Sequence, residues 1–133
     1  MAKGGCCMAN PEALALLKIA RRDLTAAALL QDPSADKANW GFQIQQAIEK
    51  ALKAWLGLGD DPPFIHNLTA LFGQLTDRGA FVDPFLPLEA FTVFAVQFRY
   101  DAELEPMNLD RQFWQQQAET LVEQVATICA VLP

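Results

Sequence analysis

The stretch NWGFQIQQAIEKALKAWLGL, Asn39 to Leu58, decides the fold, because its apolar residues recur at three- and four-residue intervals over five turns. Trp40, Ile44, Ile48, Ala51, Leu52 and Trp55 form one stripe, while Gln45, Glu49, Lys50 and Lys53 are expected on other faces. Glu49 and Lys53 stand four apart in the order that favours an ion pair on a helix. Gly57 and Gly59 are expected to close the helix in left-handed conformations, and Asp60-Asp61-Pro62-Pro63 forbids its continuation.

Working outward, Asn10-Pro11-Glu12 reads as a helix start, with a side-chain cap, a proline where no amide hydrogen is needed, and an acidic first turn. The first helix runs to about Gln31, with Leu14, Leu17, Leu24 and Ala28 expected inward and Lys18, Arg21 and Arg22 to one side. A short helix from His66-Asn67 carries Leu68, Leu71, Phe72 and Leu75 and ends at Arg78-Gly79. Phe81 to Pro87 holds two prolines and reads as a loop, followed by a fourth helix with Leu88, Phe91, Ala95 and Phe98 inward. The last helix starts at an Asn108 cap and carries Leu109, Phe113, Leu121, Val125 and Ile128. No segment alternates like a strand. These elements predict an all-α fold, an up-and-down antiparallel bundle of four to five helices. Residues 1–8 are expected to form a flexible tail, with Met8 an alternative start, ahead of a single helical domain over 9–133.

The chain of 133 residues is 52% hydrophobic, enough for a real core. Cys6, Cys7 and Cys129 make no closed disulfide framework, which points to a reduced, cytoplasmic setting. No charge-free run approaches the roughly 18 apolar residues of a membrane helix. The net charge of −6 argues against a general nucleic-acid coat. It is uneven: Met1 to Lys53 carries 7 Lys+Arg and 5 Asp+Glu, whereas Ala54 onward carries 3 and 11. That asymmetry suits local anion binding, or a symmetrical contact between unlike faces of two subunits.

One histidine, no Cys-x-x-Cys and no paired helical ligands leave no protein-built metal centre beyond a carboxylate-only Mg²⁺ site, and no cofactor is expected. A Cys–His nucleophile would need His66 to meet a cysteine that lacks any local activating signature. The basic residues are more informative. Lys50, Lys53 and Gln46 share one side of the second helix and, with Lys18, Arg21 and Arg22, make the one basic concentration this chain offers to an anion. Arg99, in QFRYDAELEP, lies about 60° from the centre of the fourth stripe, a boundary position. It suits either a salt bridge with Asp101, Glu103 or Glu105, or a guanidinium fork on a phosphate. His66 suits packing at a loop corner or a hydrogen bond to a ligand.

The order of ALALLKIARRDLTAAALL, NWGFQIQQAIEKALKAWLGL, FIHNL and FRYDAELEP resembles the HEPN domain family, with QQAIEKALKA the most specific piece. The resemblance implies a helical bundle, a homodimer, a nucleotidyltransferase-like partner protein, nucleotide or RNA as ligand, and a setting of the toxin–antitoxin kind. Some relatives are metal-independent ribonucleases whose signature is an arginine followed, after four to six intervening residues, by a histidine. Arginine there neutralises phosphate while histidine moves a proton. Arg99 matches the arginine, with Tyr100 beside it, but Leu104, Glu105 and Pro106 stand where the histidine belongs. The reading that follows is a non-catalytic binding module with Arg99, Lys50, Lys53, Gln46 and His66 near its ligand. A divergent ribonuclease using Arg99, Tyr100 and Glu105, and a purely structural oligomerisation domain, are the alternatives.

Overall fold

A computed structural model of the chain describes residues 11–57, 67–95 and 110–131. Its elements are α1 (Pro11–Ala28), α2 (Lys37–Leu56), α3 (Leu68–Asp77), a 3₁₀ segment (Asp83–Phe94) and α4 (Arg111–Val131), with no strand among the described residues. The all-α bundle is thus as the sequence patterns predict. No described helix is long and apolar enough to cross a membrane. The expected tail, the Asn10 and Asn108 caps, Gly59, Phe98 and Leu109 lie outside the described residues, as do His66, Arg99 and Tyr100.

α2 touches every other element. α1 and α4 touch each other as well as α2, and so do α3 and the 3₁₀ segment. Trp40, Ile44, Ile48, Ala51 and Leu52 are buried, as the stripe predicts, and Trp55 is half-buried. Because neighbours enclose it, no residue from Lys37 to Gly57 is exposed. Gln45 and Glu49, expected outside, are therefore buried. Gly57 closes α2 with φ −70°, an ordinary right-handed value, while its amide donates to the Lys53 and Trp55 carbonyls and the Arg78 guanidinium donates to the Leu56 carbonyl at 2.9 Å. A cation on the carbonyl end of a helix satisfies an orphan acceptor and favours the dipole, so no left-handed glycine is required there.

α1 stops at Ala28, short of Gln31, and is rotated from the expected stripe. Ala13, Leu17, Ala20, Leu24 and Ala27 are buried, whereas Leu14 and Ala28 are exposed. The reason is close approach: an alanine every seventh residue lets the α1 backbone settle against α2, and leucines fill the gaps between. The connection is locked by the Asp32 carboxylate, which accepts from the Ser34 amide and hydroxyl, both at 2.8 Å. Those bonds, with the field of Arg111, hold Asp32 below the usual carboxylate range. α3 begins under an Asn67 cap, whose side chain accepts from Thr69 and Ala70 amides, and Gly79 follows it with φ 85°.

The expected loop over Phe81–Pro87 and the α-helix after it are instead one 3₁₀ run. Val82, Phe85, Leu88, Phe91 and Phe94, each three residues from the next, are all buried. A helix with three residues per turn stacks such positions in one line, whereas an α-helix would wind them around its axis. Pro87 also disfavours α geometry, because its ring would meet the carbonyl four residues back. α4 begins at Arg111 and is capped by Asp110, whose carboxylate accepts from the Phe113 amide at 3.1 Å. Leu121 and Val125 face inward as expected, Ile128 is half-buried, and Phe113 faces solvent.

Candidate polar site on the central helix

The feature of α2 that hydrophobic packing does not account for is its polar arc. Positions 45, 46, 49, 50 and 53 fall within about 140° of one another at 100° per residue, so five polar side chains share one side of the most enclosed helix. Gln46 Nε2 donates to the Gln45 side-chain oxygen Oε1 at 2.7 Å, and Gln45 Nε2 donates to Glu49 Oε1 at 2.9 Å. Lys53 donates to Glu49 Oε2 at 2.8 Å. On the flank, Lys50 donates to the Gln46 oxygen at 2.7 Å, and its ammonium lies 3.2 Å from Asp23 Oδ2 of α1. That last approach is an ion pair outside hydrogen-bond geometry.

The arc thus gathers Gln46, Lys50 and Lys53, all read from the sequence as ligand-facing, and adds Gln45, Glu49 and Asp23. Lys50 and Lys53 are not the open cationic row the sequence suggests, since their side chains are only 20% and 12% exposed and each has a carboxylate beside it. Glu49 is 4% exposed. Burying such charges costs more than their mutual attraction returns unless hydrogen bonds hold them well, and here hydrogen bonds link Glu49 to Gln45 and Lys53, and Lys50 to Gln46. Each ammonium has three N–H donors, and one of them is engaged by a neighbouring oxygen in each case. Donor capacity is left over at the rim of the arc.

Lys18, Arg21 and Arg22 do not join this arc. They stand exposed on the outer face of α1, with Arg21 paired to Glu123 of α4 at 2.9 Å. Arg111 is buried and committed elsewhere: it donates to the carbonyls of Leu30, Asp32 and Ala35. A cleft of about 660 Å³ opens beside it, between the α1–α2 connection and the start of α4. Cys129 is buried, and burial pushes its thiol up, away from nucleophilic behaviour. Among the described residues no cluster of His, Cys, Asp and Glu could hold a metal ion.

Gln45 and Glu49 were missed because alternation of polar and apolar residues assigns polar ones outward. The signal that could have found them is the density of amide and charge on a single arc. The family model for the HEPN domain matches residues 13–132 of the chain. No curated protein and no solved structure matches it.

Proposed function

The chain belongs to the HEPN domain family, and from that premise we propose that it is a non-catalytic nucleotide- or RNA-binding module, acting as a homodimer beside a nucleotidyltransferase-like partner in a system of the toxin–antitoxin kind. The observation that carries the reading is the α2 arc: two partly buried ammonium groups, that of Lys53 steadied by the more deeply buried Glu49 and that of Lys50 by Asp23 beside it. A phosphate oxygen approaching the rim of that arc meets ammonium donors already oriented, so little side-chain freedom is lost on binding. The half-buried Gln46 amide, which gives one N–H to Gln45 and accepts from Lys50, has a second N–H and a second lone pair for a base edge. Arg99 and His66 belong to the same reading through the family pattern. Absence of a histidine at positions 104–106 removes the proton carrier that a ribonuclease of this kind needs, which is why binding is favoured over cleavage.

Fluorescence anisotropy with a labelled single-stranded RNA, and competition by ATP, tests the site. Lys50→Met and Lys53→Met are expected to weaken binding about tenfold each, the scale of one charge-assisted hydrogen bond, with far-UV circular dichroism unchanged. Lys37→Met removes the same charge from the far end of α2 and is expected to change the affinity less than about twofold. Absence of saturable binding by the unaltered chain, or equal weakening by Lys37→Met, overturns the reading. For the partner, a nucleotidyltransferase-like protein encoded beside this chain is expected to co-elute with it at micromolar concentration. Separate elution ends that part of the proposal.

A further inference from the structure

α1 and α4 lie side by side on α2 and run in opposite directions. Three contacts fix their register: Arg21 reaches Glu123, Gln115 donates to the Leu24 carbonyl at 2.9 Å, and Gln31 donates to the Arg111 carbonyl at 3.3 Å. At equal rise per residue, Leu29 therefore stands level with Phe113, Arg22 level with the space between Glu119 and Glu123, and Lys18 just beyond Glu123. The outward faces of the two helices have opposite charge, cationic on α1 and anionic on α4. Among the described residues Lys18 and Arg22 meet no carboxylate, while Leu29 is 81% exposed and Phe113 47%.

We propose that this two-helix face is where a second copy of the chain docks, about a twofold axis parallel to the helices, so that α1 of each copy lies over α4 of the other. Such an axis preserves height along the helices, so the register within one copy becomes the register between copies. Leu29 then covers Phe113, Arg22 enters between Glu119 and Glu123, and Lys18 approaches Glu123. A chain with net charge −6 resists self-association through like faces, and this arrangement brings only unlike faces together. α1 is 18 residues long, so the face measures about 27 Å by two helix widths, or roughly 500 Å² per copy. That reaches the ~1,000 Å² total of a specific but weak interface, with micromolar, salt-sensitive affinity. The inference names the surface for the homodimer of the reading above.

Sedimentation of the full chain over about 5–200 μM, at low and high salt, separates the two claims. The unaltered chain is expected to dimerise at low salt; a monomer throughout overturns the homodimer itself. The double variant Lys18→Glu, Arg22→Glu and the double variant Glu119→Lys, Glu123→Lys are each expected to be monomeric, with unchanged circular dichroism, because each places like charges across the axis. Mixed in equal amounts they are expected to recover a dimer, since both contacts then join unlike faces. Dimers of either variant alone, or no association in the mixture, place the interface elsewhere and overturn this surface.

Discussion

Gly41→Ala is expected to destabilise the protein by about 2 kcal/mol, against the usual direction of a glycine-to-alanine change inside a helix. A Cβ at Gly41 would run into Phe94 Cδ1, Cε1 and Cγ, in the body of the ring rather than at a flexible tip. The ring cannot step aside, because Trp40 stands 6.3 Å away edge-on and Phe91 5.6 Å away. Phe94 must leave its place on the 3₁₀ line, at about 3 kcal/mol for losing a buried aromatic contact. Alanine returns about 1 kcal/mol through helix propensity. Urea melts of Gly41→Ala, Phe94→Ala and the double variant decide the cause. In the Phe94→Ala background the clash is gone, so Gly41→Ala should there stabilise by about 1 kcal/mol. If its effect keeps the same sign in both backgrounds, the ring contact is not the reason for glycine at this position.

This contact also shows what could be read before the structure. Gly41 and Phe94 are 53 positions apart in the chain, and nothing local announces that one exists to admit the other. α2 itself was legible, because Trp40, Ile44, Ile48 and Leu52 carry a 3.6-residue period that only a helix satisfies. The 3₁₀ line was legible in principle as a strict three-residue period from Val82 to Phe94, but Pro84 and Pro87 spoke for a loop. On α1, leucines outweigh alanines in any hydrophobic count, so Leu14 displaced Ala13 from the expected core, although small size was what the α1–α2 contact required. The site behaved alike. Lys50 and Lys53 were legible as a pair because both lie on one helix, whereas Asp23 enters from another helix and places a carboxylate beside Lys50. A sequence shows which residues share an element; it does not show which element comes to stand beside it.

Arg111→Met is expected to cost more than any other single change described, about 3 kcal/mol or above. Arg111 lies at the first position of α4, and its guanidinium spans three carbonyls of the α1–α2 connection: Leu30 at 2.8 Å, Asp32 at 2.6 Å and Ala35 at 3.0 Å. Its Cζ stands 5.4 Å from the centre of the buried Trp40 ring, so one cation ties α1, α2 and α4 together. Hydrogen bonds from a charged donor contribute about 1.5–3 kcal/mol each, and methionine keeps the stem but leaves the three acceptors to find water or go unpaired. Arg111→Lys distinguishes charge from shape. A single ammonium on a flexible stem cannot reproduce a planar fork, so lysine should recover less than half of the lost stability. Hydrogen exchange gives the local readout: in Arg111→Met the amide of Ala35, which donates to the Asp32 carbonyl at 2.8 Å, should exchange far faster, even in conditions where the rest of the bundle is folded. If lysine restores the melt in full, Arg111 acts through its charge alone, and the fork across the connection is incidental to stability.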